Sequence, residues 1–259
     1  MNLWFVLFKK ECLEMVRNFK VIWVPLTFLF LGAIDPLTAY YMPKIVDALG
    51  GLPEGTVIEI PLPSPGESLL MSVGQLDTLG VLIIALMLMG TVAGERKSGV
   101  AEMVLVKPVP VGFYISAKWA AALILVWLSY FAGMLASWYY TGILFGWIPF
   151  GEFLACFFIY GLWLTFVMTM TIFYSSLLKS PGLAGFLSIA TAVVLGFVSS
   201  GFSHWIKWSP ALLKTYAGEY LLKSALPDAT VPALLVTAGA IIALLIFSSA
   251  VFRKKELAG

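Results

Sequence analysis

The chain has 259 residues, 61% hydrophobic and only 12% charged, with a mean hydropathy of +0.97 and a formal net charge of +2. Soluble domains sit near about 45–50% apolar and about 25% charged, so this composition excludes a water-soluble globule, a secreted domain and a disordered chain. The small net charge gives no reason to expect nucleic acid as a partner, and two cysteines, Cys12 and Cys156, are too few for a disulfide framework.

In chain order, the first element is a stretch from Leu3 to Lys20. Phe5, Phe8, Cys12, Met15 and Phe19 recur at steps of three and four, with Lys10, Glu14 and Arg17 on another side. This pattern predicts an amphipathic helix lying in the membrane interface; a helix packed on the bundle is the plainer alternative. Six apolar runs follow, at about 21–41, 69–93, 119–143, 153–178, 183–202 and 231–252. Each matches the roughly 20 residues that cross a bilayer. The expected fold class is therefore an all-α polytopic membrane protein, with residues 1–259 forming a single transmembrane domain and residues 1–20 its interfacial helix.

The connections carry their own signals. The first span is interrupted by Asp35-Pro36, and the second starts at 69 only if Asp77 lies in its outer turn. Between them, residues 42–75 are Pro-rich and acidic. Ser64-Pro65-Gly66-Glu67 has the form of a capping box with Pro at the first helical position, and residues 57–60 alternate weakly, as a short strand would. Gly90 and Gly94 have the spacing of a close helix contact, a weak signal alone. Between spans five and six, Ser209-Pro210 starts a short outer helix with Leu212, Leu213, Tyr216 and Tyr220 on one face. Trp205 and Trp208 stand where an interfacial belt would be, and His204 is expected to be an interfacial polar residue. Twelve Lys and Arg fall on the side of the termini against four (Lys44, Lys207, Lys214, Lys223) on the other, which predicts cytoplasmic termini.

Catalytic chemistry is sparse. The chain has no Gly-Lys pair, hence no phosphate-cradling loop, and a single histidine. Asp35 is the one ionisable residue expected at membrane depth. It is either an ion or proton carrier, or an N-cap with Pro36 at the first position of a helix restarting after a kink.

The loop after the second span reads Gly94-Glu95-Arg96-Lys97-Ser98-Gly99-Val100-Ala101-Glu102-Met103-Val104-Leu105-Val106-Lys107-Pro108-Val109-Pro110 and leads to Lys118. It is a charged exit from the membrane, a short amphipathic helix around 99–106, and a Pro-marked re-entry. Glu95, Gly99, Glu102, Pro108-Val109 and Lys118 resemble the pattern of the ABC transporter type-2 permease family. Val100 and Pro110 depart from it where Thr and a small hydroxyl residue are usual. Lys9-Lys10-Glu11 near the start and the basic run Arg253-Lys254-Lys255 also fit.

The resemblance implies a membrane-spanning permease subunit of an ATP-driven exporter. Such a subunit forms the substrate pathway as a dimer, with a second copy or a paralogue, in a bacterial or archaeal plasma membrane. It is not itself an enzyme. No cofactor is expected in this chain; ATP and Mg belong to two copies of a separate ATPase subunit. Glu95, Arg96, Gly99, Glu102, Leu105 and Pro108 are then the expected ATPase-coupling residues. An ion channel or ion-coupled carrier relying on Asp35 is the alternative, and the lipid bilayer is a partner in either case.

Overall fold

A computed structural model describes residues 3–48, 61–100, 103 and 110–256. Helix α1 spans Leu3–Arg17 and turns at Phe19, whose φ is 55°, into α2, Lys20–Ala48. The second span, Pro65–Lys97, is built from α3 (Pro65–Gln75), a π turn (Leu76–Gly80), α4 (Val81–Leu88) and α5 (Ala93–Lys97). Then come α6 (Val111–Leu144), α7 (Phe150–Leu177), α8 (Pro181–Gly201), a 3₁₀ turn (Pro210–Leu212), α9 (Leu213–Lys223) and α10 (Thr230–Glu256). Among the described residues, six helices are long and apolar enough to cross a membrane, and the protein is an all-α polytopic membrane protein. The alternation expected at residues 57–60 lies outside the described residues.

Local rules set several boundaries. Ser64 caps α3: its hydroxyl accepts the Glu67 N–H, and the Glu67 carboxylate accepts the Ser64 N–H at 2.7 Å, with Pro65 in the first turn. Ser209 accepts from the Ala211 N–H and starts the turn into α9, whose buried face holds Leu213 and Tyr216. Asp35, by contrast, caps nothing. α2 runs unbroken through Pro25, Pro36 and Pro43, so the cap-and-restart reading of Asp35-Pro36 is corrected. Pro36 has no N–H for the Gly32 carbonyl four residues back. The Ser72 hydroxyl donates to that carbonyl instead, at 3.4 Å, which is how a membrane helix tolerates an internal proline.

Helix α7 forms the centre, with most of its residues buried on every side. Along it, α6 is stitched by indole N–H groups: Trp119 donates to Thr169 at 2.8 Å and Trp127 to Thr165 at 3.0 Å. The ring of Tyr130 stacks on Phe157 with centroids 4.7 Å apart. Helix α2 crosses α6 with backbones in contact at Gly32 and Gly133, where a side chain on either would overlap the other helix. Gly90 and Gly94 take no such part: a Cβ at Gly94 would meet nothing within 4 Å. Large apolar side chains at 59% exposure or more, such as Leu26, Phe30 and Phe197, face outward and form an apolar outer surface.

Helix α1 carries two apolar faces rather than one. Phe8, Cys12 and buried Met15 pack on the bundle, while Phe5, Leu13, Val16 and Phe19 stay exposed. The face turned to the protein also contains Glu11, 5% exposed, and this charge needs a partner.

Candidate functional site

Glu11 finds its partner on α6. That helix begins two turns before the apolar run, so Lys118 and, one turn earlier, Tyr114 lie inside it. The Lys118 ammonium, 1% exposed, donates to both Glu11 oxygens at 2.9 and 3.0 Å and lies 2.9 Å from Glu95 Oε1. Lys10 bridges the same groups from α1, reaching Glu95, Glu11 at 3.0 Å and Glu14 at 3.4 Å. The Tyr114 hydroxyl donates to the other Glu95 oxygen, and the Lys118 Nζ lies 4.9 Å from the Tyr114 ring centre. Two ammonium groups thus hold three carboxylates where α1, the end of the second span and the start of α6 meet.

Glu11, Glu14 and Glu95 bring carboxylate oxygens within 4.8 Å of one another. That is metal-ligand spacing, but the positive charge in this cluster comes from Lys10 and Lys118. Burial pulls the Lys10 ammonium toward deprotonation; the hydrogen bond it donates to Glu95 and the charges of Glu11 and Glu95 outweigh it and hold the group well above its ordinary value. Neighbouring contacts extend the node. Arg96 donates to the Ser176 carbonyl at 3.3 Å, and its guanidinium lies 5.6 Å from the Phe252 ring centre. Phe252 in turn stacks on Tyr114 at 5.3 Å, so α10 joins the same end of the bundle.

The structure brings Glu95 and Arg96 into this node and turns them inward, with the Glu95 side chain 11% exposed. Gly99 lies just beyond, at a φ of +76°, which glycine adopts without strain, and ends the helical turn begun at α5. Glu102, Leu105 and Pro108 lie outside the described residues, as does most of the helix expected around 99–106. Asp35 stands far along α2, and its Oδ2 is buried with no hydrogen-bond partner.

Comparison with known proteins gives the family. The family described as ABC-2 family transporter protein matches residues 5–212, most of the chain. The chain belongs to the ABC-2 transporter family. Similar to it along nearly the whole length is a Bacillus subtilis (strain 168) protein named "Uncharacterized transmembrane protein YxlG", 33% identical over 256 residues and covering 99% of each chain.

In this ABC-2 protein, two residues at this end of the bundle, one in the node and one beside it, have no sequence signal of their own. Tyr114 reads as an ordinary aromatic beside a membrane boundary. Ser175 reads as a small residue ending an apolar run, yet its hydroxyl repairs a break in the second span. It donates to the Met89 carbonyl at 2.8 Å and accepts the Val92 and Ala93 N–H groups at 3.0 Å each. The chain therefore leaves the membrane through a jointed segment, α5, held on one side by Ser175 and on the other by Glu95.

Proposed function

We propose that the chain is the permease subunit of an ATP-driven exporter, paired with a second permease and two copies of a cytoplasmic ATPase. Its termini and the loop after the second span face the cytoplasm of a bacterial or archaeal cell. ATP and Mg belong to the ATPase, and the permease converts movement of that partner into rearrangement of its spans. The observation that carries this reading is the buried node of Glu11, Glu95 and Lys118. A push on the segment after Gly99 reaches α5, which the node fastens to α1 and α6, so a force on the loop moves three elements together. On this reading Glu95 and Arg96 are positioning residues, and Glu102, Leu105 and Pro108 supply contacts to the ATPase.

The test uses the permease co-purified with its ATPase and reconstituted in vesicles. Glu102→Lys is expected to lower transport-linked ATP hydrolysis severalfold with insertion intact, while Lys254→Glu, exposed on the last span, changes it little. Equal effects would reduce the segment to a topological anchor. The unpartnered Asp35 Oδ2 favours the second reading, an ion-coupled carrier. Loss of transport in Asp35→Asn, with assembly and ATP hydrolysis intact, would select it.

A further inference from the structure

Away from both termini the bundle holds a second charged pair, and it borders a cavity. Asp77 sits in the π turn of the second span, and π turns are rare and concentrate at functional sites. Its Oδ1 accepts the Trp163 indole N–H at 2.9 Å, and its Oδ2 is paired with the Lys214 ammonium from α9. Helix α9 climbs alongside α3: Gly66 lies against Leu221, Gly218 against Leu70, and Lys214 reaches Asp77. Trp163 stands near the middle of α7 (Phe150–Leu177), so the pair lies within the spans rather than at their ends, separated from the first charged node by α4 and the break after it. Trp205, 85% exposed, belongs to the turn just before α9, where interfacial tryptophans gather.

The adjoining cavity, about 550 Å³, runs between the second span, α7, α8 and α9. Its chemistry changes with depth. Asp77, Lys214, Thr215 and Ser200 stand at one end, and Leu82, Ile189 and Val193 line the part toward the termini. Phe197 and Val193 are also exposed, so the cavity opens sideways on the apolar outer face of α8. Lys214 is 39% exposed and spends one of its three N–H donors on Asp77. The next charges along α9, Glu219 and Lys223, pair with each other at 3.6 Å. The cavity thus offers a neutral pair of opposite charges at one end and an apolar slot at the other.

We infer that this cavity binds a zwitterionic amphiphile entering from the bilayer, its ammonium beside Asp77, its acid group beside Lys214 and its chain along Leu82, Ile189 and Val193. A singly charged head would claim one member of the pair and strand the other at an apolar boundary, where an unpaired charge is costly. A dipolar head adds a partner to each. The inference adds a ligand class to the transport reading above, on which its physiological meaning rests. Its test is binding by the permease alone, so its failure leaves that reading untouched.

The experiment uses the full chain in uncharged maltoside micelles and three probes with the same 12-bromododecyl tail: a dimethylglycine zwitterion, a trimethylammonium cation and a carboxylate anion. Bromine quenches tryptophan, and the site's share is the quenching lost in Trp163→Phe. The zwitterion should bind the wild type at least tenfold more tightly than either single charge. Asp77→Asn should shift the preference to the anion and Lys214→Met to the cation. Displacement by a diacyl phosphatidylethanolamine would assign the ligand to bulk lipid; binding that resists it would assign a single-chain cargo, and both keep the dipolar site. Equal binding of the three probes by the wild type would overturn the inference, as would an unchanged ranking in Lys214→Met. Neither outcome depends on the folding of Asp77→Asn.

Discussion

Replacing Lys118 with Met leaves the shape of α6 intact and strips the central cation from the node. Its ammonium lies 2.9 Å from both Glu11 and Glu95. At an effective dielectric of about 20, each contact contributes about 5–6 kcal/mol of attraction, much of it offset by desolvation of the three charges. Breaking a buried pair by removing one partner costs about 3–5 kcal/mol. Lys10 remains against both carboxylates, which places the expected loss near the lower bound, about 3 kcal/mol. For a chain of this size that corresponds to a fall of about 6–12 °C in Tm. The assay is built in, because Cys156 is fully buried. In a Cys12→Ser background, a fluorogenic maleimide reports the temperature at which the core opens. Adding Glu11→Gln should recover part of the loss, since it removes one of the carboxylates left in excess. A shift below about 2 °C, or a Glu11→Gln cost that adds in full to that of Lys118→Met, would refute the node as a coupled unit.

The same thiol assay tests the crossing of α2 and α6. A Cβ at Gly133 would sit 2.5 Å from the Phe28 carbonyl oxygen, whereas one at Gly239 meets nothing within 4 Å. Gly133→Ala should therefore cost about 1–3 kcal/mol, and Gly239→Ala should be neutral or stabilising; similar effects would deny the close contact. For orientation, a cysteine at Ser64 in a cysteine-free background should react with an impermeant maleimide in intact cells, and one at Ser98 should not; the reverse pattern would invert the topology. Burial, reinforced by the charge of Glu11, raises the Cys12 thiol above its ordinary value, so less thiolate is present at neutral pH. Cys12 should label severalfold more slowly than a cysteine placed at neighbouring Leu13, and equal rates would contradict the packed face of α1.

What the sequence made legible was local. Apolar runs of bilayer length gave the six spans, and Ser64 and Ser209 announced the helices they cap, because caps and hydropathy act within a few residues. Pairings across the chain were not legible. Glu11 lies 107 residues from Lys118, and Asp77 lies 137 from Lys214; periodicity places a charge on a face without saying what stands opposite. Asp35-Pro36 misled for a related reason. In isolation it has the form of a helix start, yet α2 continues through it, and the donor that meets the freed Gly32 carbonyl is Ser72, forty residues on. The six coupling candidates came from a pattern of residue types, which could not distinguish Glu95, turned inward, from positions facing a partner.

The long separation between Glu11 and Lys118 has a consequence for biogenesis. Translation delivers α1 first, but its inward-facing carboxylate has its principal counter-charge only once the third span is made and inserted. Until then the helix must wait somewhere that suits its other side, and Phe5, Leu13, Val16 and Phe19 give it a lipid surface on which to rest. Docking of the first helix is thereby tied to completion of the third span, and a chain halted before Lys118 lacks the charge that seats α1.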